Sequence, residues 1–247
     1  MVFSLISGEF LRHSRSLRYA FRKYCGSLGI IVVIATAIAQ PAALAAVPQY
    51  RVVVSDAKGG AVADAVVTLR AIEGVGKASP ATRPRLQVST TPVVIQQLDR
   101  EFVPRITVLP VGARISLPNN DAVPHSVYSF SAAKQFEFEV YVGSSPQVLT
   151  LDKAGIITLG CNIHDWMVGY VVVVDTPFAQ STDARGTVSF ANLPEGDYEL
   201  RVWHPQQKTG DHTSQISVVE QGQPLAVTID VSPPRARYKP PLTLKRY

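Results

Sequence analysis

Apolar and polar positions alternate in short runs along most of the chain, and glycine, proline, asparagine or aspartate stands at the ends of these runs. From Pro48 onward no stretch keeps an apolar period of 3.6 residues, which disfavours amphipathic helices. Alternation with a period of two between turn residues is typical of strands. The pattern therefore predicts that the chain beyond residue 48 is all-β.

Several strands can be placed individually. Tyr50 to Ser55 alternates, Asp56 to Gly60 carries turn residues, and Ala65 to Leu69 alternates again. An interval rich in Gly, Ser, Pro and Thr follows, at about residues 73–91, and predicts a loop. Two further alternating strands with tight turns are predicted between Thr182 and Trp203.

The first 45 residues have a different character. Five basic residues precede an apolar run from Leu28 to Ala39, and Ala43-Leu-Ala45 supplies the small residues of a cleavage site. This order is typical of a secretory signal peptide. A membrane anchor needs about 20 apolar residues, and the run ends sooner, at Gln40. We predict a cleaved signal peptide over residues 1–45, a periplasmic protein, and no integral membrane segment after cleavage.

The positive charge of the chain lies mostly outside the predicted fold. The formal net charge is +5, and the predicted leader contributes five basic residues against Glu9. The segment 233–247 carries five more basic residues: Arg235, Arg237, Lys239, Lys245 and Arg246. The remainder is acidic, whereas a nucleic-acid-binding face needs clustered cations, so we exclude nucleic acid as a partner. The proline- and cation-rich segment is predicted to be a flexible tail, or alternatively an electrostatic docking arm.

Three potential soft-metal ligands lie within seven consecutive positions: a thiol at Cys161, an imidazole at His164 and a thioether at Met167. The chain has two cysteines and two methionines, and one of each belongs to the predicted leader. A lone cysteine in an exported protein cannot form an internal disulfide. Sulfur with imidazole favours copper, and two histidines, one cysteine and a weak axial methionine form the blue-copper donor set. The second histidine is best supplied by His125, which also stands where a short loop enters an apolar strand.

These residues resemble the copper site of the cupredoxins, the amicyanin- and plastocyanin-like family. The resemblance rests on Val123–Val127 (VPHSV) and Cys161–Met167 (CNIHDWM), whose spacing is closest to the short ligand loop of amicyanin. The stretches Phe102–Asn119 and Leu151–Cys161 resemble the strands around that site. The resemblance implies a Greek-key sandwich over residues 94–175 that holds one mononuclear copper ion. The implied metal ligands are His125, Cys161, His164 and Met167.

The sequence departs from the cupredoxin pattern at three positions. Ser126 stands where the family commonly has an asparagine that ties the two ligand loops together. Ile163 and Asp165 keep backbone N–H groups where amicyanin-like loops have prolines. An additional N–H directed at the thiolate withdraws charge from it and favours the reduced metal, so we expect a raised redox potential.

The two segments that flank the predicted copper unit each resemble one half of a second β-sandwich. Val52–Leu69 and Thr182–Trp203 are similar to the two halves of a carboxypeptidase regulatory-like, transthyretin-type sandwich. This resemblance implies a discontinuous sandwich over residues 49–72 and 176–232 into which the copper unit is inserted. The strand Val52–Val54 should then lie beside a C-terminal strand. Two consecutive domains are the alternative.

The chain has too few histidines and cysteines for the catalytic copper sites that a protein of this kind could carry. Four histidines follow the leader, namely His125, His164, His204 and His212, and they form no His-x-His pair of the kind that oxidase copper clusters use. A binuclear copper site would need a second cysteine in the loop. A hydrolytic Cys161–His164 pair would explain neither Met167 nor His125. We therefore predict that the protein is not an enzyme, and that His204 caps a strand at the surface.

The function predicted from these residues is that of a periplasmic type 1 (blue) copper protein that carries single electrons between redox partners. The alternatives are a copper-binding or delivery module, and a surface β-sandwich protein with a structural metal. Zinc would also accept one cysteine and two histidines. The whole chain resembles exported bacterial proteins labelled methylamine utilisation proteins. Trp166 is predicted either to lie wholly in the core or to form, with His164, the surface at which electrons enter.

Overall fold

The computed structural model describes residues 49–72, 85–219 and 223–232. The predicted signal peptide, the predicted tail and most of the predicted 73–91 loop lie outside the described residues. Strands and turns make up these ranges, and the prediction of an all-β fold is confirmed. In the same ranges no helical segment has the length and apolarity that a membrane span requires.

Seventeen strands occur in the described ranges, and most are short. They are β1 (Gln49–Asp56), β2 (Val66–Ala71), β3 (Val93–Val94), β4 (Gln96–Leu98), β5 (Glu101–Val103), β6 (Ile106–Pro110), β7 (Arg114–Ser116), β8 (Val127–Ser131), β9 (Lys134–Glu137), β10 (Leu149–Thr150), β11 (Gly155–Cys161), β12 (Val168–Val174), β13 (Phe178–Ser181), β14 (Thr187–Ala191), β15 (Gly196–Trp203), β16 (His212–Val218) and β17 (Leu225–Ile229).

The first and last strands of the described chain share one core. Sheet β14-β1-β17 and sheet β13-β2-β15-β16 supply its apolar residues, and we call this pair of sheets the flanking sandwich. β1 pairs with β14 in antiparallel and with β17 in parallel orientation, so that Val52 lies opposite both Val188 and Leu225. Because strand side chains alternate between faces, Val52 and Val54 both point into this core and are fully buried.

The strands between β2 and β13 enclose a second core. Sheet β10-β7-β3 and sheet β6-β12-β11-β8-β9, together with the β4-β5 hairpin, form what we call the central sandwich. Its core is aliphatic and aromatic, and it includes Cys161 and Met167. The other largest buried side chains of this core are Ile95, Phe102, Ile115, Leu117, Leu151, Ile157 and Leu159.

Strand β12 takes part in two hydrophobic clusters at once. Val171 and Val173 face the core of the central sandwich, whereas Val172 and Val174 face outward. The outward pair packs in a third cluster with Val66 of β2. Period-two alternation makes this possible, since successive side chains point to opposite faces of the sheet. The outer face of β12 is therefore covered by the flanking sandwich.

Candidate metal centre

Strand pairing brings His125 and Cys161 together from distant parts of the sequence. Cys161 ends β11, and the antiparallel pairing of β11 with β8 places it opposite Val127. His125 lies two residues before Val127 and is fixed by two backbone hydrogen bonds with Tyr141, of 3.0 and 2.9 Å. His164 lies in the loop that joins β11 to β12. Three of the four predicted ligands thus meet at one end of the central sandwich.

The three donor atoms form a compact triangle. The Nδ1 atoms of His125 and His164 are 3.0 Å apart, and the Sγ atom of Cys161 lies 3.6 Å and 3.8 Å from them. A point inside this triangle is roughly 2 Å from every corner, which matches metal–imidazole bonds of about 2.0–2.1 Å and metal–thiolate bonds of about 2.3 Å. In the described part of the chain, no other group of three or more His, Cys, Asp or Glu side chains converges in this way.

The cluster is shielded from solvent on the side of the core. His125 is 0% exposed and Cys161 is 3% exposed, whereas His164 is half-buried. Met167, the fourth predicted ligand, is 1% exposed and belongs to the same apolar core as Cys161. Its backbone N–H donates to the carbonyl oxygen of His164 at 2.8 Å. This bond closes the segment Cys161–Met167, which we call the ligand loop because it holds three of the four predicted ligands.

The surroundings of Cys161 favour the thiolate. Burial by itself opposes ionisation, but the hydrogen bond between Cys161 and His125, together with those from the backbone N–H groups of Ser126, Ile163 and His164, outweighs it and lowers the pKa of the Cys161 thiol. The thiolate is the form of cysteine that binds metals. The Ile163 N–H is one of the two that the sequence retains where amicyanin-like loops have prolines.

The two imidazoles have opposite electrostatic environments. Burial disfavours the charged form of His125, yet its hydrogen bonds with Cys161 and Asp121 prevail and raise its pKa. Burial, followed by the positive charges of His125 and Arg100, lowers the pKa of His164. His164 therefore stays neutral more readily, and a neutral imidazole is the form that binds a metal.

The loop that carries His125 is linked to the loop that carries His164 by Ser126 and Asn162. The backbone N–H of Asn162 donates to the Ser126 carbonyl oxygen at 2.9 Å, and its side-chain amide donates to the Ser126 hydroxyl at 3.1 Å. The same amide also reaches a carboxylate oxygen of Glu137 at 2.9 Å. In the cupredoxin pattern, an asparagine after the first histidine links the two loops. Here the link is made by Asn162, which lies in the other loop.

Three polar residues beside the cluster are not predicted from the sequence. The His125 Nε2 atom lies 2.7 Å from an oxygen of Asp121. The Tyr141 hydroxyl accepts a hydrogen bond from Gln97 Nε2 and donates to the Leu117 carbonyl oxygen, both at 2.5 Å. Burial raises the pKa of Tyr141 to about 12, so it stays a neutral donor. Nothing in a single sequence marks these residues, because strand register alone brings them to the site.

Two glycines let aromatic rings lie against the strands that flank the ligand loop. A Cβ atom at Gly160 would stand 2.5 Å from the Tyr128 ring, and one at Gly169 would stand 2.8 Å from Phe102 Cβ. Gly160 precedes the cysteine, and Gly169 follows the loop by two residues. Side chains at these two positions would push the rings away from both ends of the loop.

Trp166 is half-buried, so it does not lie wholly in the core. Its ring centroid is 5.3 Å from that of His164, and the Arg100 guanidinium lies over the indole at 5.9 Å from the ring centroid.

His204 is predicted from the sequence to lie at the surface, but its side chain is buried and only 8% of the residue is exposed. That prediction is wrong because the His204 Nδ1 atom accepts the backbone N–H of Gln206 at 3.2 Å, which draws the ring into the turn after β15.

Comparison with known proteins gives partial structural matches. Neither a protein-family model nor a curated protein sequence matches the chain. Among solved structures, a copper-containing nitrite reductase (NirK) from Thermus scotoductus SA-01 is similar over 40% of this chain and 27% of its own, at 20% identity and a TM-score of 0.33. A reduced tryptophan-to-tyrosine mutant of amicyanin is similar over 44% of this chain and 98% of its own, at 20% identity and a TM-score of 0.32.

A purple cupredoxin from Nitrosopumilus maritimus is similar over 33% of this chain and 96% of its own, at 23% identity and a TM-score of 0.29. Each of the three alignments covers less than half of this chain. This chain spans about a quarter of the length of the nitrite reductase.

Proposed function

We propose that His125, Cys161 and His164 hold a single copper ion and that the protein carries single electrons in the periplasm. The observation that carries this proposal is the donor triangle, in which two imidazole nitrogens and one thiolate surround a point roughly 2 Å from each of them. The donor chemistry fits as well, since thiolate and imidazole select copper over harder cations. Bound copper would supply a one-electron couple between its two oxidation states.

The protein's own residues have separate roles in this proposal. His125, Cys161 and His164 would hold the ion strongly, and Met167 would supply a weak fourth donor. The backbone N–H groups that donate to Cys161 draw charge from the thiolate, which favours the reduced ion and supports a raised potential. The hydrogen bonds between Ser126 and Asn162 hold the two ligand loops at a fixed separation, which keeps the donor positions similar in both oxidation states.

The remaining parts of the chain are assigned by sequence and strand pairing. We propose a cleaved signal peptide over residues 1–45, a copper domain over 94–175 and a basic tail over 233–247. The pairing of β1 with both β14 and β17 supports a discontinuous carboxypeptidase regulatory-like sandwich over 49–72 and 176–232 that flanks the copper domain. The partners of such a protein are other periplasmic redox proteins.

The purified mature protein should become intensely coloured when one equivalent of Cu(II) is added. The Cys161 thiolate would then donate charge to the oxidised ion and produce a strong band in the visible spectrum. The band should saturate at one ion per chain, bleach with ascorbate and return on reoxidation. Optical titration together with metal analysis checks all three results.

Zinc capture and copper delivery are the competing functions, since the same donors would serve them. A protein that binds copper without the visible band, or that binds zinc and refuses copper, would contradict electron transfer. Rapid loss of copper to a weak chelator would favour delivery. The burial of His125 and Cys161 supports retention instead, because an exchanging site needs access to its ligands.

Replacing Met167 with leucine should keep the colour and raise the redox potential. The two side chains are similar in volume, so the swap should cost less than about 1.5 kcal/mol of stability. The loss of a weak thioether donor would disfavour the oxidised ion more than the reduced one. Cyclic voltammetry measures the potential. Leu151→Met is the matched control, because Leu151 is also fully buried in this core and its backbone is paired with Ala113 rather than with the loop that carries His164. Equal potentials in all three proteins would remove Met167 from the ligand set.

A further inference from the structure

Asp121 joins the cluster to a strained turn nearby. Its side chain is 9% exposed, and its Oδ2 atom lies 2.7 Å from His125 Nε2. The same carboxylate accepts the backbone N–H of Asp99 at 2.6 Å and that of Arg100 at 2.8 Å. An ionised carboxylate has acceptor capacity alone, so the proton on His125 must reside on Nε2. The Nδ1 lone pair of a neutral His125 then faces Cys161 and His164.

The turn held by Asp121 adopts a backbone conformation that non-glycine residues avoid. Asp99 and Arg100 connect β4 to β5 with φ angles of +53° and +59°. Each such residue costs on the order of 1 kcal/mol and persists where the surroundings fix it. Both N–H groups of this turn point at the one carboxylate that also binds His125.

The same turn reaches the second histidine of the cluster. The Arg100 guanidinium lies over the Trp166 ring, and that ring in turn packs against the imidazole of His164. The contacts therefore run from Asp121 to His125 on one side and through Arg100 and Trp166 to His164 on the other. The two paths meet where the Nδ1 atoms of the histidines are 3.0 Å apart.

We propose that Asp121 is a positioning residue that orients both imidazoles, His125 by direct hydrogen bonding and His164 through the Arg100–Trp166 contact. The inference rests on the proposed function in one respect, namely that the oriented nitrogens serve a copper ion. The carboxylate fixes the tautomer of His125, increases the donor strength of its Nδ1 and places a negative charge beside the site. That charge favours the oxidised ion and opposes the effect of the N–H groups around Cys161.

The first arm of the test uses the metal-free protein. Long-range ¹H–¹⁵N NMR spectra of the unaltered protein should show His125 protonated at Nε2, with slow exchange of that proton. Asp121→Asn should preserve this tautomer, because its amide oxygen can accept the same hydrogen bond. Asp121→Ala should give a mixture of tautomers with fast proton exchange, and it should also shift the His164 resonances. Arg100→Met keeps the backbone N–H bond to Asp121, so it should shift His164 and leave the His125 tautomer unchanged.

The second arm uses the copper-loaded protein. Asp121→Asn should bind the oxidised ion about tenfold more weakly, as is usual for the loss of a charged partner behind a ligand histidine. If binding of the reduced ion is unchanged, this tenfold loss corresponds to a rise in potential of about 59 mV. Asp152→Asn is the matched control, since Asp152 forms an exposed ion pair with Lys134 and its replacement removes the same charge elsewhere. That variant should keep the potential of the unaltered protein.

The outcomes separate the two proposals. If the unaltered protein fails to form a coloured copper site, the proposed function is wrong, and the tautomer measurements still decide the role of Asp121. If the site forms but Asp121→Asn has the potential of Asp152→Asn, the electrostatic role is overturned. An unchanged His125 tautomer in Asp121→Ala overturns the positioning role. His164 resonances that respond to neither Asp121→Ala nor Arg100→Met overturn the contact through Trp166.

Discussion

Cys161→Ser will abolish the visible band and lower the affinity for Cu(II) by more than about 100-fold. Removing a residue that only hydrogen-bonds to a metal ligand already lowers metal affinity by up to about 100-fold, and loss of a ligand should lower it further. The hydroxyl of serine stays protonated at neutral pH and is a poor donor to a soft metal. The fold should survive, because a serine oxygen can accept hydrogen bonds from the backbone N–H groups that now donate to the sulfur of Cys161. Competition titration against a chelator of known affinity measures the loss.

Cys161→Ala provides the comparison that separates metal binding from stability. Alanine accepts no hydrogen bond, so the N–H groups of Ser126, Ile163 and His164 lose their partner at this position. An unpaired buried group costs about 1–3 kcal/mol, so alanine should destabilise the protein more than serine does. Chemical denaturation of the metal-free variants gives both values. A serine variant that still shows the band would exclude Cys161 as the source of the colour.

Trp166→Ala will slow electron exchange and keep the visible copper band, with a small shift of that band because His164 loses the ring that packs against it. The indole covers one side of His164, and His164 is the half-buried member of the cluster. Truncating an aromatic anchor at an interface typically costs about 2 kcal/mol, or roughly thirtyfold in the association constant. Electron self-exchange between two copies of the protein, followed by NMR line broadening, should fall by a similar factor.

Trp166→Phe is the matched variant for that experiment. It keeps an aromatic ring against His164 and removes the indole N–H, which is buried and lacks a hydrogen-bond partner among the described residues. Phenylalanine should therefore retain most of the exchange rate. An alanine variant with an unchanged rate would leave the entry site unassigned. A spectrum that collapses together with folding would give Trp166 a role in packing.

The candidate site was largely predictable because its residue types are rare in this chain. After the predicted leader, Cys161 and Met167 are the only sulfur-containing residues of the sequence. Together with the nearby His164 they form a set of soft-metal donors that can be recognised without a structure. The all-β fold was predictable for a similar reason, since period-two alternation is a local signal. β1 and β2 lie within two residues of the predicted strands at both ends.

The outer partners of the site were not predictable, because strand register creates them. Asp121 occurs in the run Asn119-Asn-Asp121, which indicates a turn, and its contact with the Asp99–Arg100 turn crosses about twenty residues. Asn162 looks like a spacer between two ligands, yet its amide ties the loop to Ser126. His204 was misplaced because its hydrogen bond to Gln206 depends on a turn geometry that composition does not specify.

The two-faced packing of β12 constrains the ligand loop itself. A slip of one residue along this strand would exchange its inward and outward side chains and would spoil both clusters together. Val168 is also paired with Gly160, so the residues next to both ends of the loop are held in one register. An insertion or deletion must therefore be absorbed between Asn162 and Met167. The spacing between Cys161 and His164 can therefore change with loop length while the strands on either side stay unchanged.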